Sequence, residues 1–244
     1  MLSNIKIFII HVSSNTERFM HMEEMLKKIN LPYQHEYINE GDMSDITEEI
    51  LDRYFCDKPD CKMHLVAPRV SCCLKHVIAY QKINEQNLDG AIILEDDIYL
   101  HDNFGEIVLE SIKECSREYP DTPVLISYED SPLLLVPRSM RRKGQLLYEG
   151  KHDRYTGAYF INAACARNII SDIETNKTHL PIDGYHNYLL GKGIVKYLWC
   201  HPTVATQGSC NGKIKTLIST KSNTGLKLKW FFKSNYKRLL YYFR

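Results

Sequence analysis

The stretch from Ala91 to Leu100, A-I-I-L-E-D-D-I-Y-L, constrains this chain more than any other. Aliphatic residues lead straight into Glu95, Asp96 and Asp97, and the apolar pattern resumes at Ile98. A continuous apolar run opened by a turn at Asp89-Gly90 predicts a strand buried on both faces. Three carboxylates at the end of such a strand repel one another in a low-dielectric setting. Full exposure at the sheet edge offsets that cost, and so does a bound cation that takes hard oxygen ligands. The rest of the chain decides between them.

At 244 residues the chain holds one large α/β domain or two small ones, and its 44% hydrophobic and 25% charged content is ordinary for a globular protein. The net charge of +1 conceals a segregation. Nine of the 31 basic residues and none of the 30 acidic ones lie between Lys213 and Arg244, which leaves 22 basic against 30 acidic residues in 1–212, a net of −8. An acidic body with a basic tail predicts an anionic partner for the tail, a membrane surface or a polyanion. The opening residues lack the pattern of a secretory signal, and no apolar stretch approaches the roughly 20 residues that span a bilayer. With eight irregularly placed cysteines, reduced thiols in a cytoplasm are expected. Cys56, Cys61 and His64, followed by Cys72, Cys73 and His76, match no common zinc spacing.

Ile5 to Val12 is a β-rich run with His11 near its end, and Ser13-Ser14-Asn15 supplies cap chemistry for a helix bearing Phe19, Met22, Met25, Leu26 and Ile29 on one face. Tyr33 to Ile38 predicts a second strand, so the chain starts β-α-β, without the G-x-G-x-x-G that a dinucleotide requires. Arg18 falls in the first helical turn, where its guanidinium could reach a phosphate at the strand end or simply lie in solvent. Ser44 to Phe55 and Val70 to Gln86 read as helices, the second with Cys73, Val77, Tyr80 and Ile83 in register. A helix over Phe104 to Ile112, strands at Val124–Tyr128 and Leu133–Val136, a basic loop at Arg138–Gly144, a strand at Tyr155–Asn162 and a helix from Ala163 follow. Asp183, in Leu180-Pro181-Ile182-Asp183, stands ahead of a helix as a cap or an active-site carboxylate. Ile194–Trp199 and Thr203–Ala205 read as terminal strands.

L-K-H-V-I-A-Y-Q-K-I over 74–83, followed by L-D-G-A-I-I-L-E-D-D-I over 88–98, resembles the core signature of the family 25 glycosyltransferases, the bacterial lipopolysaccharide and lipooligosaccharide enzymes to which collagen galactosyltransferases are related. The resemblance runs from about residue 4 to about residue 210. It implies a GT-A-like single α/β domain over 1–212 with a mostly parallel central sheet, and inverting transfer of a hexose, galactose foremost, from a nucleotide-sugar to a surface glycan. It further implies Mn²⁺ or Mg²⁺ held by Glu95 and Asp97, with His201 completing the shell. Donor contacts are expected from His11, Val12, Arg18, His76, Asp96, Gln207 and Ser209, and Asp183 is expected as the base that takes the acceptor proton. The family's usual arginine, glutamate, glycine and serine are replaced at or near Ser14, Arg69, Ser71 and Lys75, on the expected donor side, and the basic loop is expected as a lid.

From Gly225 the tail interleaves Lys and Arg with Trp230, Phe231, Phe232, Tyr236, Leu239, Leu240, Tyr241 and Phe243, which predicts a helix lying on an anionic leaflet. The partners expected are a nucleotide-sugar donor such as a UDP-sugar, an oligosaccharide or lipid-linked acceptor, and the inner face of the cell membrane, with no nucleic acid among them. Two other classes stay open: a metal-dependent phosphohydrolase, and a non-catalytic family member acting as a membrane-associated scaffold.

Overall fold

The computed structural model describes residues 2–56, 67–215 and 225–243. Cys61 and His64, which share the irregular Cys/His cluster, lie outside them. The first half of the chain runs β1 (Ile5–Ile10), α1 (Thr16–Lys28), β2 (His35–Ile38), α2 (Glu48–Tyr54), α3 (Ala67–Glu85), β3 (Gly90–Glu95), β4 (Ile98–Leu100), α4 (Phe104–Glu118) and β5 (Val124–Ser127). Then come β6 (Leu147–Glu149), β7 (Ala158–Asn162), α5 (Ala163–Asn176), α6 (Ile182–Gly191), β8 (Lys196–Cys200), β9 (Ala205–Gln207), α7 (Gly208–Asn211) and α8 (Leu226–Phe243).

Seven strands form one sheet in the order β2-β1-β3-β7-β5-β8-β6. The pairings give β1, β2, β3, β5 and β8 a common direction, with β7 and β6 against it, so the α/β fold with a mostly parallel sheet is the one found. β3 lies between β1 and β7, and Ala91, Ile92, Ile93 and Leu94 are fully buried. Alternate side chains point to opposite faces of a strand. Accordingly, Ala91 and Ile93 join the core beneath α3, α5 and α6 with Val77, Tyr80, Ile169 and Leu189. Ile92 and Leu94 join the core beneath α1 and α4 with Met22, Val108 and Ile112. Each such side chain contributes about 1.5–3 kcal/mol by leaving water, which is why the uninterrupted apolar run takes the central position.

Both ends of β3 are pinned. Asp89 accepts hydrogen bonds from the Ser3 and Asn4 N–H groups, and Glu95 stands opposite Ile10, the last residue of β1. The apolar pattern that resumes at Ile98 is not a continuation of this strand. The chain turns at Asp96–Asp97, and β4 pairs antiparallel with β9 in a separate two-stranded sheet. Leu133–Val136 is not a strand either, whereas Leu147–Glu149, hidden beside the basic loop in the sequence, pairs with β8. The basic loop carries a 3-10 turn at Arg138–Met140 and faces α8, with the Arg138 guanidinium 4.4 Å from the Tyr242 ring. No described helix is long and apolar enough to cross a membrane.

Gly90 sits where β3 and β7 approach closely: a Cβ there would lie 2.6 Å from the Ile161 carbonyl oxygen and 2.7 Å from the Phe160 ring. Gly90→Ala therefore forces β3 and β7 apart and is expected to destabilise the protein by about 1–3 kcal/mol, read as a lower midpoint in urea unfolding. An unchanged midpoint would show that the sheet gives way without cost.

Candidate active site

Two clefts of about 450 and 400 Å³ open where β1 and β3 end, and Arg18, Cys72 and Glu95 line both of them. This is the carboxyl edge of the parallel half-sheet, where α/β proteins bind their ligands. Asn15 caps α1 by accepting from the Arg18 N–H at 3.1 Å, as its position before the helix predicts. The cap holds Arg18 in the first turn, facing the end of β3.

The three carboxylates meet three different fates. Asp96 is buried and bonded to Arg18 Nη1 at 2.5 Å and His11 Nδ1 at 2.9 Å, with the Val12 N–H at 3.4 Å. Burial opposes its charge, but His11 and Arg18 outweigh burial and hold its carboxyl below the usual range. The arginine expected to reach for a phosphate is thus paired first with a carboxylate. Glu95 is oriented by the Thr156 hydroxyl at 2.6 Å and the Gln207 amide at 2.9 Å. Asp97 accepts from the Ser209 N–H at 3.2 Å and stands 4.0 Å from Arg18. Its Oδ1 is buried without a hydrogen-bond partner among the described residues. Burial and then the Glu95 charge push its carboxyl above the usual range.

Asp183 lies on the rim of the first cleft with Glu95 and Asp97. It is the second residue of α6, whose cap is Pro181, and its Oδ1 accepts from the Gly184 N–H at 2.8 Å. Gln207 and Ser209 line the same cleft, and His11, Val12 and Asp96 line the second. His76 is fully buried beneath them, its Nε2 3.5 Å from Glu95 Oε1 and without a hydrogen bond. His201 stands apart. It lines neither cleft, follows β8 at a cis peptide bond to Pro202, and packs edge-on to Tyr148. Burial, with Arg141 and Arg154 nearby, lowers its pKa to about 4. As a ligand to an ion at Glu95 and Asp97 it is misplaced, because its strand end is several strands away from β3. The basic loop contributes no residue to either cleft, so it is no lid over them.

The positions that depart from the family pattern cluster as expected. Ser14, Ser71 and Lys75 line the second cleft and Arg69 the first. Lys75 is almost completely buried, donating to the Ile38, Asn39 and Glu40 carbonyls at 2.9–3.2 Å and pairing with Asp42 at 2.9 Å. A charge so fully partnered is tolerated inside, and it ties α3 to the loop after β2.

Sequence reading missed several members of the site. Tyr155 holds a left-handed backbone (φ 73°) on the cleft wall beside Thr156, a conformation uncommon for a side chain of its size. Glu129 is fully buried, bonded to Ser131 and to the Ala158 N–H, and burial pushes its carboxyl well up. Gly157 admits Glu129 and Gln207, since a Cβ there would stand 2.5 Å from Glu129 Oε1. A chain of buried polar groups runs away from His76: Nδ1 to Tyr159 at 2.7 Å, Tyr159 to Tyr80 at 2.5 Å, Tyr80 to His186 Nε2 at 2.9 Å, and His186 Nδ1 to Asp153 at 2.7 Å. Nothing in the local pattern of Glu129 or Asp153 marks them. Cys72 and His76 stand four apart on one helix, a spacing set aside at the level of sequence because the wider Cys/His set matches no common zinc pattern.

A mostly parallel sheet with ligand-sized clefts at the carboxyl ends of its strands is the layout of the ligand-binding α/β proteins. Within that class the chain belongs to glycosyltransferase family 25 (LPS biosynthesis protein), whose model matches residues 4–131, and its role is that of a glycosyltransferase. The family expected from the sequence is the one found. No curated protein matches. Among solved structures, the chain is similar to a glycosyltransferase involved in the glycosylation of the major capsid of PBCV-1, at 10% identity and TM-score 0.47 over 93% of this chain and 98% of that one. It is also similar to the glycosyltransferase GlyE of Streptococcus pneumoniae TIGR4, at 10% identity and TM-score 0.45 over 96% and 64%. Mouse xyloside xylosyltransferase 1 is similar at 11% identity and TM-score 0.39 over 79% and 71%.

The raised Asp97 carboxyl has a sign that can be tested. Its charged form is disfavoured in the folded state, so without a cation it lowers stability once pH rises through its folded pKa, and that penalty is absent below the ordinary value of about 3.9. In the presence of a chelator, Asp97→Asn is expected to melt a few degrees above the unsubstituted protein at neutral pH, at roughly 2–4 °C per kcal/mol relieved. The difference should vanish as pH falls toward 4. A variant less stable at neutral pH would overturn the account.

Proposed function

We propose that the protein transfers a hexose, galactose foremost, from a UDP-sugar to a lipopolysaccharide, lipooligosaccharide or related surface glycan, with inversion at the anomeric carbon. The observation that carries this reading is the convergence of Glu95, Asp97 and Asp183 on one cleft beside Arg18. The residues fit a hard divalent ion: Asp97 Oδ1 is buried without a partner, Glu95 faces the same cleft, and oxygen donors suit Mg²⁺ or Mn²⁺. Glu95 and Asp97 would hold it. When bound, such an ion supplies positive charge against the charge that builds on the leaving diphosphate.

The chain's own residues account for the remaining steps. Arg18, kept in place by Asp96 and by the Lys215 carbonyl at 2.9 Å, presents positive charge to both clefts. His11, Val12 and Asp96 line the second cleft, where the nucleoside end of the donor would lie, and Gln207 and Ser209 face the phosphates. The acceptor oxygen attacks the anomeric carbon as the bond to the diphosphate breaks, and Asp183 takes the hydroxyl proton. Asp97→Asn should abolish metal-dependent transfer, and Asp183→Asn should lower kcat by about 10²–10⁴-fold while leaving donor binding intact, as measured by the rise in melting temperature on adding UDP-sugars with Mn²⁺. Full activity in either variant would sink the corresponding role. Failure of every nucleotide-sugar to bind would favour the scaffold instead.

The tail supports a membrane-surface site for the reaction. On α8, Leu228, Phe232, Tyr236, Leu239 and Phe243 recur at intervals of three or four and are more than half exposed, while Ser234 is buried and Arg238 bonds Asp130 at 2.9 Å. The helix thus packs on the body and still turns an aromatic stripe outward, with Lys229 and Lys233 exposed nearby. Each basic residue near an anionic leaflet contributes about 1 kcal/mol. Lys229→Gln with Lys233→Gln should therefore weaken binding to phosphatidylserine vesicles by roughly 30-fold, measured by co-sedimentation. Equal binding to neutral vesicles would remove the electrostatic part of this reading.

A further inference from the structure

We propose that Cys72, His76 and Glu95 form a binding site for a thiophilic divalent cation, zinc foremost, in the wall shared by the two clefts. Their ligand atoms lie within 4.8 Å of one another. Ions of this kind bind thiolate, imidazole and carboxylate at about 2.0–2.3 Å, so ligand atoms stand roughly 3.3–3.8 Å apart in a tetrahedral shell. The 3.5 Å between His76 Nε2 and Glu95 Oε1 is already of that size. It is also too long for a good hydrogen bond, and among the described residues Nε2 of this fully buried side chain has no other partner. A buried polar atom aimed at a carboxylate and a thiol, and bonded to neither, needs an explanation.

The surroundings of the triad are those of a ligand set. Metal-binding imidazoles characteristically donate their other N–H to a fixed partner, which orients the ring. His76 Nδ1 meets the Tyr159 hydroxyl at 2.7 Å, and that hydroxyl is held in turn by Tyr80, His186 and Asp153. With Nδ1 committed there, Nε2 is the nitrogen left for the cleft. Burial disfavours the charged form of the His76 ring, against the opposing pull of Glu95, and a ligand imidazole is neutral. Thr156 and Gln207 hold the two oxygens of Glu95, completing the outer shell.

A reactive thiol is the obvious competing role for Cys72, and its surroundings oppose it. Burial and the Glu95 charge hold the thiol well above its ordinary range, whereas nucleophilic and redox cysteines are stabilised as thiolates by positive neighbours. Here a cation is what would ionise it: the S–H proton leaves to solvent, the thiolate binds the metal, and one proton is released per ion bound. Cys72 and Glu95 line the clefts and His76 lies buried behind them, so a fourth position on the cleft side is open to water or a substrate oxygen. Cys72 and His76 differ from the hard-oxygen pair Glu95–Asp97 in softness, and they share Glu95 with it. A thiophilic ion in the triad would therefore compete with Mn²⁺ at that pair.

The site stands independently of the transfer reading, and Co²⁺ serves as its optical probe. Titrated into the metal-free full chain, Co²⁺ is expected to produce a thiolate-to-cobalt charge-transfer band in the near-ultraviolet, displaced by Zn²⁺. Cys72→Ser should abolish the band, Cys210→Ser and Asp97→Asn should keep it, and Tyr159→Phe should keep it while weakening Co²⁺ binding by about 10–100-fold. Absence of the band in the unsubstituted protein overturns the proposal, whatever the variants do. So does its survival in Cys72→Ser, or its loss in Cys210→Ser. Because Asp97→Asn removes the proposed transfer reaction but not the triad, failure of one reading is distinguishable from failure of the other.

Discussion

The contact between Asp96 and Arg18 is the one on which the site depends. Three consecutive acidic residues at the end of a buried strand carry a large electrostatic cost, and ion pairing inside a protein is net favourable only when geometry and further hydrogen bonds are good. Here the guanidinium binds Asp96, reaches toward Asp97 and is anchored again on the Lys215 carbonyl, while His11 occupies the other Asp96 oxygen. One carboxylate is thereby neutralised by the protein itself. Glu95 and Asp97 are left facing a cleft with charge to spare, which is what a cation site requires. The same contact ties α1 to the turn after β3, so the elements that frame the cleft move together.

Around that contact the fold distributes polar groups economically. Gly157 lets Glu129 and Gln207 approach the end of β3, and the Gln207 amide then orients Glu95. On the opposite side, the Asp153–His186–Tyr80–Tyr159 chain crosses the core under α3 and ends on His76. Buried hydrogen-bonded networks rigidify what they touch; this one is bonded from ring to ring, leaves Asp153 Oδ1 and His76 Nε2 without a partner among the described residues, and touches the wall between the clefts. The donor-side substitutions fit the same pattern. Lys75 supplies its own carbonyl cage and Ser71 bonds the Gly41 carbonyl at 2.7 Å, so both reshape the second cleft without leaving an unpaired charge.

Much of this was legible in the chain. The apolar run before Glu95 could only be a central strand, since alternate residues had to be covered on both faces. Asn15 announced a helix start, and with it the place of Arg18. Other parts were not legible, for a common reason: each depends on a partner far away in sequence. Glu129 and Asp153 look like ordinary surface acids until the sheet closes over them. His201 looked like a plausible late histidine, but whether it reaches Glu95 depends on strand order, and β8 lies on the far side of β5 and β7. The basic loop faced α8 rather than the cleft for the same topological reason.

The sequence by itself determined most of the helices and the central strands, the acidic end of the buried strand, the family and the segregation of basic charge into the tail, because these follow from periodicity, capping and composition along one stretch of chain. Only the tertiary structure decided what balances the three carboxylates. The sequence offered exposure or a cation; the fold supplied Arg18 and His11 for Asp96 and kept Glu95 and Asp97 for a ligand. It also decided that His76 and Cys72, rather than His201, stand beside Glu95. Such assignments rest on distances between residues up to about a hundred positions apart, which strand order sets and local sequence does not encode.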